Sequence, residues 1–298
     1  MRIRIAFMTI DIALPFYGDV DFMKQTVASV LNQTDPNWRL IVVDDGYPDE
    51  SIPRWFADLN ESRVSYSRND KNLGANGNFQ KCLGLLSAEF CLVMGADDLL
   101  EPDFVQVVHD TISKHPTISM IHPGVKVIDE VNVEISTRSD RVKQNIRDSF
   151  QLEEVRSGES LATSLMKGNW MYFPAITWRT KTIQDIGFRP GFKVCQDLGL
   201  AMDLIMQGGQ MVVIENEIFR YRRHTASDSS VKAINGERFV DEKNFFKTMS
   251  VDLKKIGWRD ASLAAKLHST SRLHAASLIP ACISRGQNPW PLVKHLLF

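Results

Sequence analysis

Two short apolar runs that each break at adjacent aspartates constrain this chain more than any other feature. The first is Leu40-Ile41-Val42-Val43 before Asp44-Asp45-Gly46, and the second is Val93-Met94-Gly95-Ala96 before Asp97-Asp98-Leu99-Leu100. Apolar runs of this length, bounded by turn residues, read as buried strands. In an open α/β sheet, ligands bind in the crevice beyond the carboxyl ends of parallel strands. Two acidic edges there suit a divalent cation and a polyphosphate, because hard cations take carboxylate oxygens and bridge phosphates. The pattern points to an enzyme acting on a nucleotide-linked substrate.

The rest of the chain supplies the alternation such a sheet needs. Residues 3–10 are predicted as the first strand, leaving into a turn-rich loop through Pro15 and Gly18. Phe22, Met23, Val27, Val30 and Leu31 recur at helical spacing over 21–33, and a strand over 39–43 follows. That is a β-α-β unit with a right-handed crossover. A strand over 63–67 comes next, then a helix marked by Ala75, Phe79, Cys82, Leu83 and Leu86, then a strand over 89–94. With a further helix opening at Glu101-Pro102-Asp103, residues 1–115 imply a mostly parallel sheet covered by helices. Two strand-like runs lie in 117–128, and the polar, aperiodic 130–157 reads as a long exposed loop. Beyond it, helices are predicted over 160–167 and 180–186 and from Gln196-Asp197, with strands over 171–178 and 210–214. Pro174 suggests an edge or a bulge in the first of those strands. Two long amphipathic helices fill 236–285.

Composition narrows the class. The 298 residues carry a formal charge of −1, so no global basic field argues for nucleic acid. Cys82, Cys91, Cys195 and Cys282 are scattered, without a CxxC pair, which indicates neither a zinc site nor a disulfide framework and suggests a reducing compartment. The amino-terminal stretch is too short and charged for a secretory signal, and no run approaches about 18 apolar residues. A cytoplasmic location is expected. The apolar Leu278–Ile283 and Trp290–Phe298 segments are expected to pack on the main domain, with docking on a membrane surface, at its inner face, or on a partner as the second option.

Ser29-Val30-Leu31-Asn32-Gln33-Thr34, the Asp44-Asp45-Gly46 edge, Asn72-Leu73-Gly74 with Gly77-Asn78-Phe79, the Asp97-Asp98 pair, Gln196-Asp197 and Tyr221-Arg222-Arg223-His224 with Ser227 follow one another in a specific order. Together they make residues 1–230 resemble family 2 glycosyltransferases of the GT-A fold. The resemblance implies a nucleotide-binding half over 1–115, an acceptor-binding half over 116–230 and a helical extension over 231–298. It implies inverting, metal-dependent transfer of a sugar from a nucleotide diphosphate sugar, foremost a UDP-sugar. The acceptor would be a hydroxyl of a glycan or glycolipid in cell-surface polysaccharide synthesis. Thr9, after the first strand, would touch the base, with Asp11 close by in the donor site. Asp45, alone or with Asp44, would accept the uracil N3–H, and Asn72 and Asn78 would order the neighbouring loop and helix. Asp98 would hold Mn²⁺ or Mg²⁺ together with His224, with Asp97 near the ribose. Arg222 and Arg223 would grip the diphosphate, and Asp197 would be the general base. One departure stands out: many relatives have an acid where this chain has Gly95, which leaves the cation with one fewer carboxylate.

Trp170, Tyr172, Phe173 and Trp178 read foremost as packing residues, with stacking on acceptor sugars as the alternative. Two other classes compete. A nucleotidyltransferase making nucleotide sugars would carry a Gly-rich, basic loop after its first strand, where this chain has Thr9-Ile10-Asp11-Ile12-Ala13-Leu14-Pro15. A non-catalytic nucleotide-sugar-binding module would share the fold without the chemistry. A dinucleotide oxidoreductase would need G-x-G-x-x-G, which is absent.

Overall fold

The computed structural model describes residues 9–149, 155–192, 194–223 and 237–297. Its strands are β1 (Ile10–Phe16), β2 (Trp38–Asp44), β3 (Val64–Arg68), β4 (Phe90–Val93), β5 (Leu99–Leu100), β6 (Met120–Ile128), β7 (Val155–Ser157), β8 (Thr177–Arg179) and β9 (Gln210–Arg222). Two compact units are woven from interleaved segments. One takes residues up to 135 with 172–185 and 211–222; the other takes 136–171, 186–210 and 223 onward. This differs from the successive 1–115, 116–230 and 231–298 segments expected from the sequence.

The first unit is built on a mixed sheet in the order β3-β2-β1-β4-β8-β6-β9-β5. β3, β2, β1 and β4 run parallel, whereas β8 is antiparallel to both β4 and β6. Chain order reverses beside β1, since β2 lies on one side of it and β4 on the other, so the ligand crevice of an open sheet falls there. Ile10, Ile12, Ala13, Leu14 and Phe16 are all buried, the continuous apolar run of a parallel strand covered on both faces. The first strand therefore runs over 10–16, where the sequence suggested a loop. The expected strand over 3–10 lies mostly outside the described residues. Helix α1 (Val20–Leu31) starts at Asp19, whose Oδ1 accepts from Phe22 N–H at 2.9 Å. It buries Met23, Thr26, Val27 and Val30, the stripe its spacing predicts. Helices α2 (Ser51–Asp58), α3 (Gly74–Leu85) and α4 (Phe104–Lys114) follow strands in the same way.

The second unit is helical. Its members are α5 (Arg138–Ser149), α6 (Gly158–Lys167), α8 (Gln196–Met206), α9 (Glu237–Lys255), α10 (Arg259–Leu267), α11 (Ser269–Ser284) and α12 (Trp290–Leu297); α7 (Thr180–Ile186) ends where this unit resumes. α6 packs on α8 and α10, and α9 packs on α10, α11 and α12. Several boundaries correct the sequence reading. The 130–157 segment holds a twelve-residue helix rather than a loop alone. The 117–128 segment is one strand, and 171–178 is a 3₁₀ turn (Phe173–Ala175) before a short strand. The strand from 210 runs on to Arg222. The expected pair of helices over 236–285 breaks at Gly257 and His268, both with positive φ, into three. Among the described residues, no helix is long and apolar enough to cross a membrane.

Candidate active site

At the carboxyl end of β2 the two adjacent aspartates part ways. Asp44 is fully buried and occupied by the protein: Oδ1 accepts from Tyr47 N–H at 2.8 Å and Oδ2 from the Tyr66 hydroxyl at 2.6 Å. Burial, then that bond, pushes the Tyr66 phenol well above its usual range. Asp44 thus shapes the turn and is not available as a ligand group. In Asp45, Oδ1 is pinned by Asn69 Nδ2 at 2.7 Å and Leu73 N–H at 2.8 Å. Its Oδ2 takes no hydrogen bond from the described residues. Asn78 Nδ2 donates to Val43 O at 2.8 Å, and its Oδ1 accepts from Asn69 at 3.1 Å. Asn69, which the sequence reading missed, is the hub of this network, and its place in the Asn69–Asn72 turn cluster was the available signal. Asn72 is exposed and accepts from Gly74 N–H at 2.7 Å, the Asx-turn chemistry that opens α3. Gly46, at φ +74°, makes the turn under Asn69, where an added Cβ would come within 3.3 Å of Asn69 O.

The second acidic edge folds back on itself. A Cβ at Gly95 would lie 2.5 Å from Asp97 Oδ1 and 2.8 Å from Asp98 Oδ2, so both carboxylates pack over the bare glycine. Any side chain at this position would have to displace one of the two carboxylates. Asp98 is buried; its Oδ1 accepts from Arg222 N–H at 2.9 Å, and its backbone carbonyl accepts from Thr26 Oγ1 at 2.8 Å. Burial and the neighbouring Asp97 charge raise its carboxyl well above the ordinary range. Arg222 departs from the expected diphosphate grip. It is 2% exposed, and its guanidinium donates to Asp97 O at 2.7 Å, Asp129 O at 3.1 Å, Glu130 O at 3.3 Å and Gln25 Oε1 at 3.1 Å over the Phe22 ring. It fixes the acidic turn from behind and keeps no fork for a ligand.

Two carboxylates over one glycine fit a hard cation. A cation shared with a diphosphate needs only one or two protein carboxylates, because phosphate oxygens and water complete its shell. Among the described residues no cluster of three or more metal-ligating side chains gathers, so a cation bound at this turn would have Asp97 and Asp98 as its carboxylates. His224, expected as a further ligand, lies outside the described residues.

In the second unit, Asp197 lies in the first turn of α8, partly buried. Burial raises its carboxyl above the ordinary value; the Leu198 N–H and the charges of Lys143 and Arg238 oppose that rise. Lys143 on α5 donates to Met171 O at 2.9 Å. Burial, then the Arg223 charge, lowers its ammonium to about 8. Arg223 pairs with Asp140 at 2.5 Å. A carboxylate made more basic than usual is suited to accept a proton.

Thr9 and Asp11 correct the sequence reading. Both sit at the amino ends of the parallel strands, away from the edge that carries Asp45 and Asp98, because β1 starts at Ile10. Asp11 is buried, pairs with Arg39 at 2.8 Å and accepts from Ser87 and Ala88 N–H groups at 2.7 and 2.9 Å. It locks the far edge of the sheet. At the carboxyl edge of β1 stands Tyr17 instead, 56% exposed and edge-on to Tyr47 at 5.3 Å. Trp170 and Trp178 are core residues, as expected.

The profile of glycosyl transferase family 2 matches residues 11–179, beginning where β1 does. The chain belongs to glycosyl transferase family 2. Its activity class is therefore glycosyl transfer, and its fold is GT-A. An uncharacterised protein of Mycobacterium tuberculosis (strain CDC 1551 / Oshkosh) is 24% identical over 293 residues, covering 91% of this chain and 89% of that one. Chondroitin synthase of Escherichia coli is 22% identical over 254 residues, covering 83% of this chain but 33% of that protein. Among solved structures, S. aureus TarS 1-349 superposes with a TM-score of 0.65 at 15% identity, covering 97% of this chain and 81% of that one. The same protein in complex with UDP-GlcNAc gives 0.63 at 16%, covering 81% and 66%. The likeness to the solved structures shows a shared fold.

Proposed function

We propose that the protein is an inverting, metal-dependent glycosyltransferase. It would move a sugar from a UDP-sugar to a hydroxyl of a glycan or glycolipid acceptor, in the cytoplasm, in cell-surface polysaccharide synthesis. The observation that carries the reading is Asp45: one oxygen is anchored by Asn69 and Leu73, and the other is left to accept an N–H such as uracil N3–H. Tyr17 offers a ring face at the same strand edge for a base to stack on. A solved neighbour binds UDP-GlcNAc, which favours the uridine donor. Asp97 and Asp98 would hold Mn²⁺ or Mg²⁺, which neutralises the diphosphate as it departs. Asp197 would take the proton of the acceptor hydroxyl as its oxygen attacks the anomeric carbon in line with the leaving diphosphate.

The test is a panel of nucleotide sugars incubated with the protein and Mn²⁺, with the released product identified. The reading expects UDP from a UDP-sugar, abolished by chelation, and expects Asp45→Asn to weaken UDP binding by roughly tenfold or more, the worth of a hydrogen bond to a charged group. Release of pyrophosphate would transfer the case to nucleotidyl chemistry. Full UDP affinity in Asp45→Asn would remove the base-binding assignment.

A further inference from the structure

The end of the chain carries a charge pattern opposite to the rest. From Ala261 to Phe298 there is no aspartate or glutamate, while Lys266, Arg272, Arg285 and Lys294 supply four positive charges. With −1 for the whole chain, residues 1–260 hold −5. Burial holds His268, His274 and His295 below the ordinary imidazole range, so the lysines and arginines set the charge of this region near neutral pH.

The same helices leave large apolar side chains in solvent. α11 has an inward stripe, in which Ala275 and Cys282 are buried with Phe239 and Leu292 while Leu278 and Ile279 pack against them. Its opposite stripe, Leu273, Ser277, Pro280 and Ser284, is exposed, and Ile283 and Arg285 are exposed at its end. On α12, Leu292 and His295 turn inward, whereas Trp290 and Lys294, one turn apart, face out. The last two turns of α10 expose Leu263, Lys266 and Leu267 and run straight into α11 through left-handed His268. Leu273 and Trp290 are 67% and 59% exposed, values that packing within the bundle does not explain.

Leucine, isoleucine and tryptophan interleaved with lysine and arginine, with Asp260 at the start of α10 as the one acid in these three helices, make a surface suited to a lipid interface. The apolar side chains enter the headgroup boundary, and the cations meet anionic headgroups. A second copy of the chain fits less well, because a two-fold face would set the same cations against each other. We propose that the α10–α12 surface docks on an anionic lipid bilayer. This inference is independent of which donor the enzyme uses.

The experiment is co-sedimentation of the full-length protein with vesicles of phosphatidylcholine alone and of a one-to-one mixture with phosphatidylglycerol. Binding is expected on the mixed vesicles only, weakening as salt screens the headgroups. The charge reversal K266E/R285E/K294E is expected to lower apparent affinity at least about tenfold, and the pair L273E/W290E to do the same. Melting temperature and UDP affinity should match the wild type in both variants. Equal sedimentation with both vesicle types, or with neither, would overturn the proposal. So would a concentration-dependent dimer that the same substitutions abolish in protein that ignores vesicles.

Discussion

In the role proposed for it, Asp197 combines two demands that pull in opposite directions. A proton acceptor works best when its carboxylate is more basic than one in water, and burial at the start of α8 provides that at a cost to folding. Below its ordinary value of 3.8 the group is protonated whether the chain is folded or not, so burial costs nothing. As pH rises the unfolded chain ionises freely while the folded one resists, and stability is lost through the raised folded value. Asp197→Asn is therefore expected to melt higher than the wild type at pH 7, with the difference closing as pH falls toward 3. It should also lose roughly 10²–10⁴-fold in turnover with UDP affinity unchanged. Thermal melts across pH and a transfer assay check both halves, and an active, less stable variant would remove the assignment. At this scale the sequence located the acids but not their division of labour. Asp44 and Asp45 look alike in the chain, and only the Tyr66 hydroxyl on one and the Asn69 amide on the other separate scaffold from proposed ligand group.

Elements decide whether a residue faces the ligand at all. β9 ends on Arg222, and the antiparallel pairing of Leu99 with Arg220 brings that end beside the Asp97–Asp98 turn, so the guanidinium turns inward. Charge alone does not perform this task, since four acceptors on three segments need a planar fork. Arg222→Lys is accordingly expected to cost about 2–4 kcal/mol in denaturant unfolding and to weaken Mn²⁺-dependent UDP binding, although charge is kept. Unaltered unfolding with reduced UDP affinity would instead support the diphosphate grip that the sequence suggested. The misread elements have physical causes of their own. β1 hides because Pro15 and Gly18 look like loop formers, while the alternation of Ile3 and Ile5 upstream draws the strand assignment toward residues that lie outside the described ones. α5 hides because its only large apolar residues, Val142 and Ile146, leave no stripe to detect. Much of its anchoring is polar, with Asp140 paired to Arg223 and Lys143 donating to Met171 O, while Ile146 lies against Gly168.

Over the whole molecule, the alternation of strand and helix through residue 115 was legible because a parallel sheet and its helices have different apolar periods. The weaving of the chain was not, because interleaved units depend on which distant segments pair, and no local period records that. The sequence suggested a helical extension after residue 230, and its helices pack within the second unit. α6 rests on α10, where Glu159 Oε1 accepts from Asp260 N–H at 2.7 Å and Ala261 N–H at 3.3 Å. Thr270 Oγ1 caps Lys167 O at 2.6 Å, and Asp241 accepts from Val194 N–H at 2.7 Å just ahead of Asp197. Leu161, Leu165 and Met166 in α6 are buried, and exposing each costs about 1.5–3 kcal/mol. Set against about 5–15 kcal/mol for an entire fold, the loss of α9–α12 removes most of the margin. A fragment of residues 1–230 is expected to be insoluble, or to melt without cooperativity by circular dichroism. A cooperative transition at the wild-type temperature, with UDP still bound, would show that the last four helices are dispensable to the unit that holds Asp197.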